Sequence, residues 1–160
     1  MNDESIRRPP TAQTPRRAVT TGPRRTLDLD PDEALRLLGS TPLGRIVFTE
    51  KALPAIRPVN HIVDDGQIVI RTHEGAALVA HAREAGDQGV VVAYEADVID
   101  LETRLGWTVV ATGYCRIVTD PGDVTRYRAM IDPWSDQHMD YVVRIQPDLV
   151  TGVRLAPVPE

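Results

Sequence analysis

The segment that decides the fold is LPAIRPVNHIVDDGQIVIRT, residues 53–72. Two runs within it, Ala55–Ile62 and Gln67–Thr72, are rich in β-branched residues and have strand character. They flank Asp65-Gly66, a residue pair that strongly favours a two-residue hairpin turn. The segment therefore predicts two neighbouring antiparallel strands.

The turn also predicts which side chains meet across this hairpin. A two-residue turn places Asn60 opposite Arg71 and Val59 opposite Thr72, so an amide and a guanidinium lie side by side on one face. Arg57 projects from the other face unless a bulge intervenes, because side chains alternate along a strand.

Pro58 lacks an N–H group, which places its strand at a sheet edge or beside a bulge, where backbone groups are free for a ligand. A helix predicted over Gly75–Ala85 begins just beyond Thr72, and its first N–H groups favour an anion. Arginine, a threonine hydroxyl and a helix N-terminus together suit a phosphate monoester. The alternative is that Arg57 and Arg71 are surface residues whose stems cover apolar neighbours.

Further strand patterns surround the hairpin, at Gly44–Phe48, Gly89–Tyr94, Trp107–Thr119, Tyr141–Ile145 and Leu149–Leu155. Only two more helices are predicted, one capped by Asp30 with Pro31 first and Gly39 at its end, the other at Pro121–Met130 after Asp120. Many short strands and few helices favour a mainly β protein, a barrel of six to seven mostly antiparallel strands with small flanking helices.

The run from Trp107 to Thr119 is about twice the usual strand length. Gly113 near its middle is a natural place for the strand to bend. Neither of its faces is uniformly polar, so we expect it to be covered on one side by the barrel interior and on the other by a further surface, such as a partner subunit.

Composition limits the class of protein. The chain has 160 residues, 42% hydrophobic and 26% charged, which suits one globular domain. Its net charge of −5 gives no general attraction to nucleic acid, and no apolar run reaches the ~18–20 residues of a membrane span. The single cysteine, Cys115, excludes an internal disulfide framework. A soluble, cytoplasmic protein is expected.

The charge is uneven along the chain. Residues 1–25 carry six arginines, two acidic residues and four prolines, and they are predicted to form a disordered tail ahead of a domain at residues 26–160. The other 12 basic residues stand against 21 acidic ones. A solubilising role for the tail is favoured over contact with nucleic acid.

The ordered set of motifs resembles a known family. The first helix is followed by GRIVF at 44–48, LPAIRPVN at 53–60, DGQIVIRT at 65–72, VVVAYEAD at 90–97 and GWTVVATGYCRIV at 106–118. Together they are similar to the pyridoxamine 5′-phosphate oxidase-like split-barrel flavoproteins, most of all to the small nitroimidazole-resistance-type branch and its actinobacterial relatives. The resemblance covers about residues 27–155. It implies a split barrel and a homodimer with flavin mononucleotide (FMN), or the deazaflavin F420, at the subunit interface.

The resemblance also implies a set of cofactor-binding residues. Around the flavin ring, ribityl chain and phosphate it places Arg57, Pro58, Val59, Asn60, Ile70, Arg71, Thr72, Gly75, Ala76, Ala77 and, approaching the cofactor or covering the interface, Trp107. Relatives commonly carry Lys or Arg about where Ala77 stands. A lysine there is therefore expected to tighten FMN binding.

Other chemical groups give weaker signals. The four histidines lack metal-ligand spacing, and neither a Walker loop nor a dinucleotide fingerprint occurs. His61 is a candidate proton donor, with a satisfied strand histidine as the alternative. Cys115 is expected to be a small buried residue, and Trp134 to anchor its loop to the core or to lie over the cofactor site.

These observations favour an FMN-dependent oxidoreductase that passes hydride through a flavin to or from a small-molecule redox substrate, with no identified catalytic acid or base. The alternatives are a non-catalytic carrier or sensing module that binds FMN, F420 or haem, and a degenerate barrel that serves as an interaction protein.

Overall fold

Seven strands and three short helices make up the chain in the computed structural model, which describes residues 22–73, 76–134, 136 and 138–159. The strands are β1 (Arg24–Asp28), β2 (Leu43–Glu50), β3 (Leu53–Asp64), β4 (Gln67–Thr72), β5 (Val90–Ile99), β6 (Gly106–Ile117) and β7 (Tyr141–Pro157). The helices are α1 (Pro31–Leu38), α2 (Ala77–Ala85) and α3 (Pro121–Met130), and a 3₁₀ turn at Gly86–Gln88 follows α2.

Six of the strands close a ring. Their order is β7-β4-β3-β2-β5-β6, and β6 pairs again with β7, while β1 adds to the outer end of β7. Every described pairing is antiparallel. The predicted mainly β split barrel with small flanking helices is confirmed.

The central hairpin forms as predicted. Asp64 pairs with Gln67 across the turn, and the register continues to His61 opposite Ile70. Asp65 and Gly66 both have positive φ angles, 48° and 73°, as a type I′ turn requires. A second turn of this kind joins β2 to β3 through Lys51-Ala52, with φ angles of 50° and 64°. It carries no Gly, Asn or Asp, so the sequence gives no signal for it.

The barrel is split where β3 and β4 part. Only His61–Asp64 of β3 pair with β4, whereas residues 53–60 pair with β2 alone among the described residues. The outer end of β4 pairs with β7 instead, up to Thr72 opposite Tyr141. Pro58 therefore stands on an open strand edge, as its missing N–H group predicts.

The two longest strands bend together. The register between β6 and β7 shifts at Thr112/Gly113, where Gly113 lies opposite Pro147 and Thr112 opposite Leu149. A Cβ on Gly113 would lie 1.9 Å from the carbonyl oxygen of Gln146, so only glycine allows this approach. The bulge absorbs Asp148, and the two predicted strands at 141–145 and 149–155 are in fact one strand.

Two apolar clusters hold these elements together. The barrel interior is filled mainly by aliphatic side chains from all six ring strands and is closed at one end by α1, whose Leu38 is fully buried. A smaller cluster lies outside the barrel wall, under α3, and consists of Val69, Val118, Tyr127, Ile131 and Val142. The predicted caps Asp30 and Asp120 each accept a hydrogen bond from the third residue of their helix, Glu33 and Asp123.

Strand β1 was not predicted. Arg24 and Arg25, assigned to the tail by composition, pair with Pro157 and Ala156, so the ordered domain begins before residue 26. The rest of the predicted tail, residues 1–21, lies outside the described residues. Among the described helices, none has the length and apolar character that crossing a membrane requires.

Candidate functional site

A cleft of about 500 Å³ opens where β3 leaves β4, between the free edge of β3, the end of β4 and the start of α2. Eight of the eleven predicted site residues line it: Arg57, Pro58, Val59, Ile70, Arg71, Thr72, Ala76 and Ala77. Ile46, Phe48 and Leu78 add apolar wall, and Glu50, His73 and Met139 complete the rim. Residues from three separate elements thus converge on one cavity.

The other three predicted residues lie elsewhere. Asn60 lines a smaller apolar pocket of about 350 Å³, which shares Pro58, Val59, Arg71 and Met139 with the cleft. Trp107 is 7% exposed and belongs to the barrel core, so the structure does not bring it to the cleft. Gly75 lies outside the described residues.

Arg57 stands at the mouth of the cleft and is loosely held. It pairs with Ile46 across the β2–β3 ladder, which turns its side chain toward the cleft. Its guanidinium donates a hydrogen bond to the carbonyl oxygen of Ile56, lies 3.7 Å from the carboxylate of Glu50 and sits 6.0 Å from the centre of the Phe48 ring. The side chain is 57% exposed, so these contacts restrain it only weakly.

Arg71 is bound quite differently. Its guanidinium donates four hydrogen bonds of 2.8–3.1 Å to three backbone carbonyls, two to Met139 and one each to Arg128 and Ile131. Guanidinium has five N–H donors, so most of its capacity is used within the protein. Arg71 lines the cleft, yet its main contact is with the segment between α3 and β7, which it fixes to the barrel.

Asn60 fastens the same segment from the other side. Its side-chain oxygen accepts a hydrogen bond from the backbone N–H of Trp134 at 2.9 Å, and its amide nitrogen donates to the carbonyl of Pro42 at 3.2 Å. The predicted pairs Asn60–Arg71 and Val59–Thr72 do not form, because the β3–β4 ladder ends at His61 and Ile70, but the side chains of Asn60 and Arg71 both bind the same loop. The indole of Trp134 remains 69% exposed beside the smaller pocket.

The start of α2 supplies the third wall of the cleft. Ala76 occupies the N-cap position with an extended backbone, and its methyl side chain makes no capping hydrogen bond. The first N–H groups of a helix have no partners within the helix and carry partial positive charge. Thr72, at the end of β4, is buried and lines the same cleft. This end of the cleft favours an anionic group.

His61 lies one residue beyond Asn60 but is sealed inside the barrel. Its Nε2 is 2.8 Å from the carbonyl oxygen of Leu38, which can only accept, so Nε2 carries the proton and Nδ1 accepts from the Tyr94 hydroxyl at 2.6 Å. Burial lowers the pKa of His61 and raises that of Tyr94. The satisfied strand histidine, rather than a proton donor to substrate, is what the structure contains.

The described residues contain neither a reactive cysteine nor a metal-ligating cluster. Cys115 is fully buried, and burial raises its pKa to about 12, so it is not a nucleophile near neutral pH. No group of three or more His, Cys, Asp or Glu side chains among the described residues is arranged to hold a metal ion.

The chain has clear relatives. A family model described as pyridoxamine 5′-phosphate oxidase matches residues 30–154. The uncharacterised protein Rv0080 of Mycobacterium tuberculosis is 51% identical over 140 residues, which are 88% of this chain and 92% of that protein.

Two solved structures share the fold at substantial identity. A putative pyridoxamine 5′-phosphate oxidase from Corynebacterium glutamicum is 32% identical, with a TM-score of 0.66 over 84% of this chain and 96% of that one. An FAD-binding protein from Mycobacterium smegmatis is 31% identical, with a TM-score of 0.60 over 81% of this chain and 98% of that one. With its barrel and its cleft so arranged, this chain belongs to the pyridoxamine 5′-phosphate oxidase family.

Proposed function

We propose that this protein binds FMN in the cleft between β3, β4 and α2 and uses it to exchange hydride with a small-molecule substrate. The observation that carries the proposal is the convergence of Arg57, Thr72 and the start of α2 on an otherwise apolar cleft. Flavin binding by the Mycobacterium smegmatis relative supports it.

The residues of the cleft fit a flavin nucleotide. Its volume of about 500 Å³ lies within the range of about 300–1,000 Å³ that is usual for ligand pockets. Ile46, Phe48 and Val59 would face the ring system, and the free edge of β3 offers backbone partners to the polar ring edge. The N-terminal N–H groups of α2, with Arg57, would hold the phosphate.

Each group in the cleft has a physical task. A bound flavin supplies the hydride chemistry, while the protein positions it and keeps water away. Glu50 works against the phosphate because it lies 3.7 Å from Arg57 and partly neutralises it. Arg71 acts mainly by holding the loop that carries Met139 against the cleft.

The proposed molecule is a homodimer, and a row of outward-facing residues across five strands, all but Thr112 apolar and with both ends exposed, supports this. Successive cross-strand partners link Ile56 of β3, Val47 of β2, Ala93 of β5, Thr112 of β6 and Leu149 of β7. Ile56 is 57% and Leu149 60% exposed, and Val91 and Tyr114 extend the same surface. A second copy seated on this row would border the strand β3 that carries Arg57 at the cleft.

Replacing Leu149 with arginine tests the dimer. We expect Leu149→Arg to shift the protein to monomer in sedimentation equilibrium and to weaken FMN binding together with it. Leu101→Arg is the matched control, because Leu101 is 88% exposed in the turn between β5 and β6, away from the row. A monomeric wild-type protein that still binds FMN would refute the interface while leaving the cleft assignment intact.

The cofactor itself is tested by what the purified protein contains and takes up. Mass spectrometry and absorbance of the preparation distinguish a flavin, absorbing near about 450 nm, from F420 near about 420 nm and from haem with its Soret band. FAD is the second candidate, because a relative at 31% identity binds it.

Titration then locates the phosphate. We expect the fluorescence of FMN to be quenched on binding. We also expect FMN to bind at least about tenfold more tightly than riboflavin, which lacks the phosphate. Equal affinities would show that the phosphate is not held by α2 and Arg57. Failure of FMN, FAD and F420 alike to bind would refute the function.

A further inference from the structure

A second cavity, of about 760 Å³, lies apart from the flavin cleft, between the end of α2, α3 and the joined ends of β6 and β7. Three arginines line it: Arg83 from α2, Arg116 from β6 and Arg144 from β7. None of the residues that line it also lines the flavin cleft.

Two of these arginines form a like-charge pair. Arg116 and Arg144 are direct cross-strand partners in the β6–β7 ladder, so their side chains leave the sheet from adjacent positions on one face. Like charges placed directly opposite each other destabilise a sheet. An anion lying between the two side chains would relieve this repulsion.

The protein itself neutralises this pair poorly. The guanidinium of Arg116 donates to the backbone carbonyls of Asp87 and Gln88, which are uncharged partners. Arg144 reaches a carboxylate, that of Asp123, only at 4.0 Å. Carbonyl contacts orient Arg116 without cancelling its charge.

The acidic residues that line the cavity do not neutralise the positive charge of Arg116 and Arg144. Asp140 lines the cavity, but its carboxylate is 2.9 Å from the guanidinium of Arg128. Asp87 also lines the cavity, and its single carboxylate is fewer than the two guanidinium groups of Arg116 and Arg144. The local field therefore favours an anion.

The other residues that line the cavity indicate what the ligand carries besides its negative charge. The ring of Tyr141 lies 4.9 Å below the guanidinium of Arg83, and Ile117 and Val118 supply apolar surface. Gln67 and Gln146 are joined by a side-chain hydrogen bond at the rim. The cavity is larger than a free phosphate needs, so it suits a phosphate carried on an organic body.

We propose that this cavity is a second ligand site, which binds a phosphorylated small molecule with its phosphate between Arg116 and Arg144. Two guanidinium groups offer paired N–H donors, which match phosphate oxygens in geometry and charge. The site goes beyond the proposed flavin function, because it uses different residues and a different face of the barrel.

Inorganic pyrophosphate is the probe that tests the charged part of this site, by calorimetric titration of the full-length protein. We expect pyrophosphate to bind, and Arg116→Gln or Arg144→Gln to weaken it at least about tenfold. Arg154→Gln, also on β7 but paired with Glu33 outside the cavity, is the matched control and should leave the affinity unchanged. Arg57→Ala reports any pyrophosphate bound at the phosphate end of the flavin cleft, which separates that binding from this site.

Stability gives a second readout. Without ligand, Arg144→Gln should raise the midpoint of urea unfolding, since it removes the repulsion from Arg116, while pyrophosphate should raise the midpoint of the wild type but not of the variant. Pyrophosphate affinity that survives both Arg116→Gln and Arg144→Gln, or that falls only in Arg57→Ala, would overturn the proposal. So would absence of binding up to about 10 mM probe, which corresponds to an interaction too weak for a built site.

Discussion

The two halves of β3 have opposite fates. His61–Asp64 pair with β4, and His61 is sealed against Tyr94 and Leu38 within the barrel. Residues 53–60 pair with β2 alone, and Arg57, Pro58 and Val59 line the cleft. One strand thus serves stability at one end and binding at the other. The change falls where its pairing with β4 stops.

The packing of Tyr94 over His61 is most easily disrupted at Gly44 of β2, beside the Tyr94 ring. A Cβ at this position would stand 2.5 Å from the Tyr94 hydroxyl and 2.7 Å from the backbone oxygen of Glu95, so the strands would have to move apart. We expect Gly44→Ala to lower the free energy of unfolding by about 3 kcal/mol, measured by urea denaturation. Gly22→Ala is the control, because a Cβ there would meet nothing within 4 Å. Equal stability of the two variants would contradict the packing of Tyr94.

Arg71 of β4 follows Ile70, the last residue of β4 that pairs with β3, and it holds the segment between α3 and β7. Arg71→Ala leaves three carbonyls without their donor, and we expect a loss of about 2 kcal/mol in urea unfolding together with faster proteolysis in the segment from Ile131 to Met139. Arg71→Lys keeps the charge but not the fork of donors and should recover only part of the stability. If the two variants unfold alike and neither loosens the segment, the clamp is not what holds the loop.

The stability of the protein should also depend on pH, because the half of β3 that pairs with β4 contains the buried His61. Burial depresses the pKa of His61 in the folded state, so the unfolded chain binds a proton first as the pH falls below about 6.5. Stability should be flat above this pH and fall below it, with a slope of up to about 1.4 kcal/mol per pH unit.

Urea midpoints measured between about pH 5 and 7.5 test this dependence. The variant His61→Phe, which has no titrating group at the position, is expected to lose the slope along with part of the stability. A wild-type slope that persists unchanged in His61→Phe would assign the effect to another group.

The binding role of the open half of β3, residues 53–60, is tested at Arg57. We expect Arg57→Ala to weaken FMN binding at least about tenfold, or about 1.4 kcal/mol, by flavin fluorescence quenching. Stability should change by less than about 0.5 kcal/mol, because the side chain is exposed and loosely held. A smaller loss of affinity would return Arg57 to the role of a surface residue.

The smallest expected effect is a gain in FMN affinity, which tests where the phosphate lies in the cleft. Ala77 is the first residue of α2 and lines the cleft, so Ala77→Lys adds a cation at the proposed phosphate and should tighten FMN by about 1 kcal/mol. Ala80→Lys adds the same charge on the exposed side of the same helix and should not. Unchanged FMN affinity in both variants would move the phosphate away from α2.

The sequence predicts the elements better than it predicts their partners. The turn at Asp65-Gly66 and the caps Asp30 and Asp120 depend on a few neighbouring residues, so their signals are readable locally. Strand β1 gives no such signal, because it is a short edge strand whose order comes from pairing with β7. The single strand β7 was divided at Pro147 because the bulge that accommodates it is made by Gly113, more than thirty residues earlier.

The candidate site divides in the same way. Arg57 and Arg71 are equivalent in the sequence, two arginines on neighbouring strands, but one is loosely held at the cleft and the other clamps a loop. Met139 and Glu50 were not foreseen at the rim, since neither belongs to a motif. Trp107, which the family resemblance places near the cofactor or over the interface, lies in the core.

The amino-acid order by itself determined the strand and helix segments, the central turn and the family resemblance, because these depend on local periodicity, capping and turn chemistry. Only the tertiary structure decided which carbonyls Arg71 reaches, that His61 is sealed by Tyr94, and that Arg116 stands opposite Arg144. Those outcomes depend on register and packing between residues far apart in the chain, and a one-residue slip of a strand would turn each of these side chains to the other face.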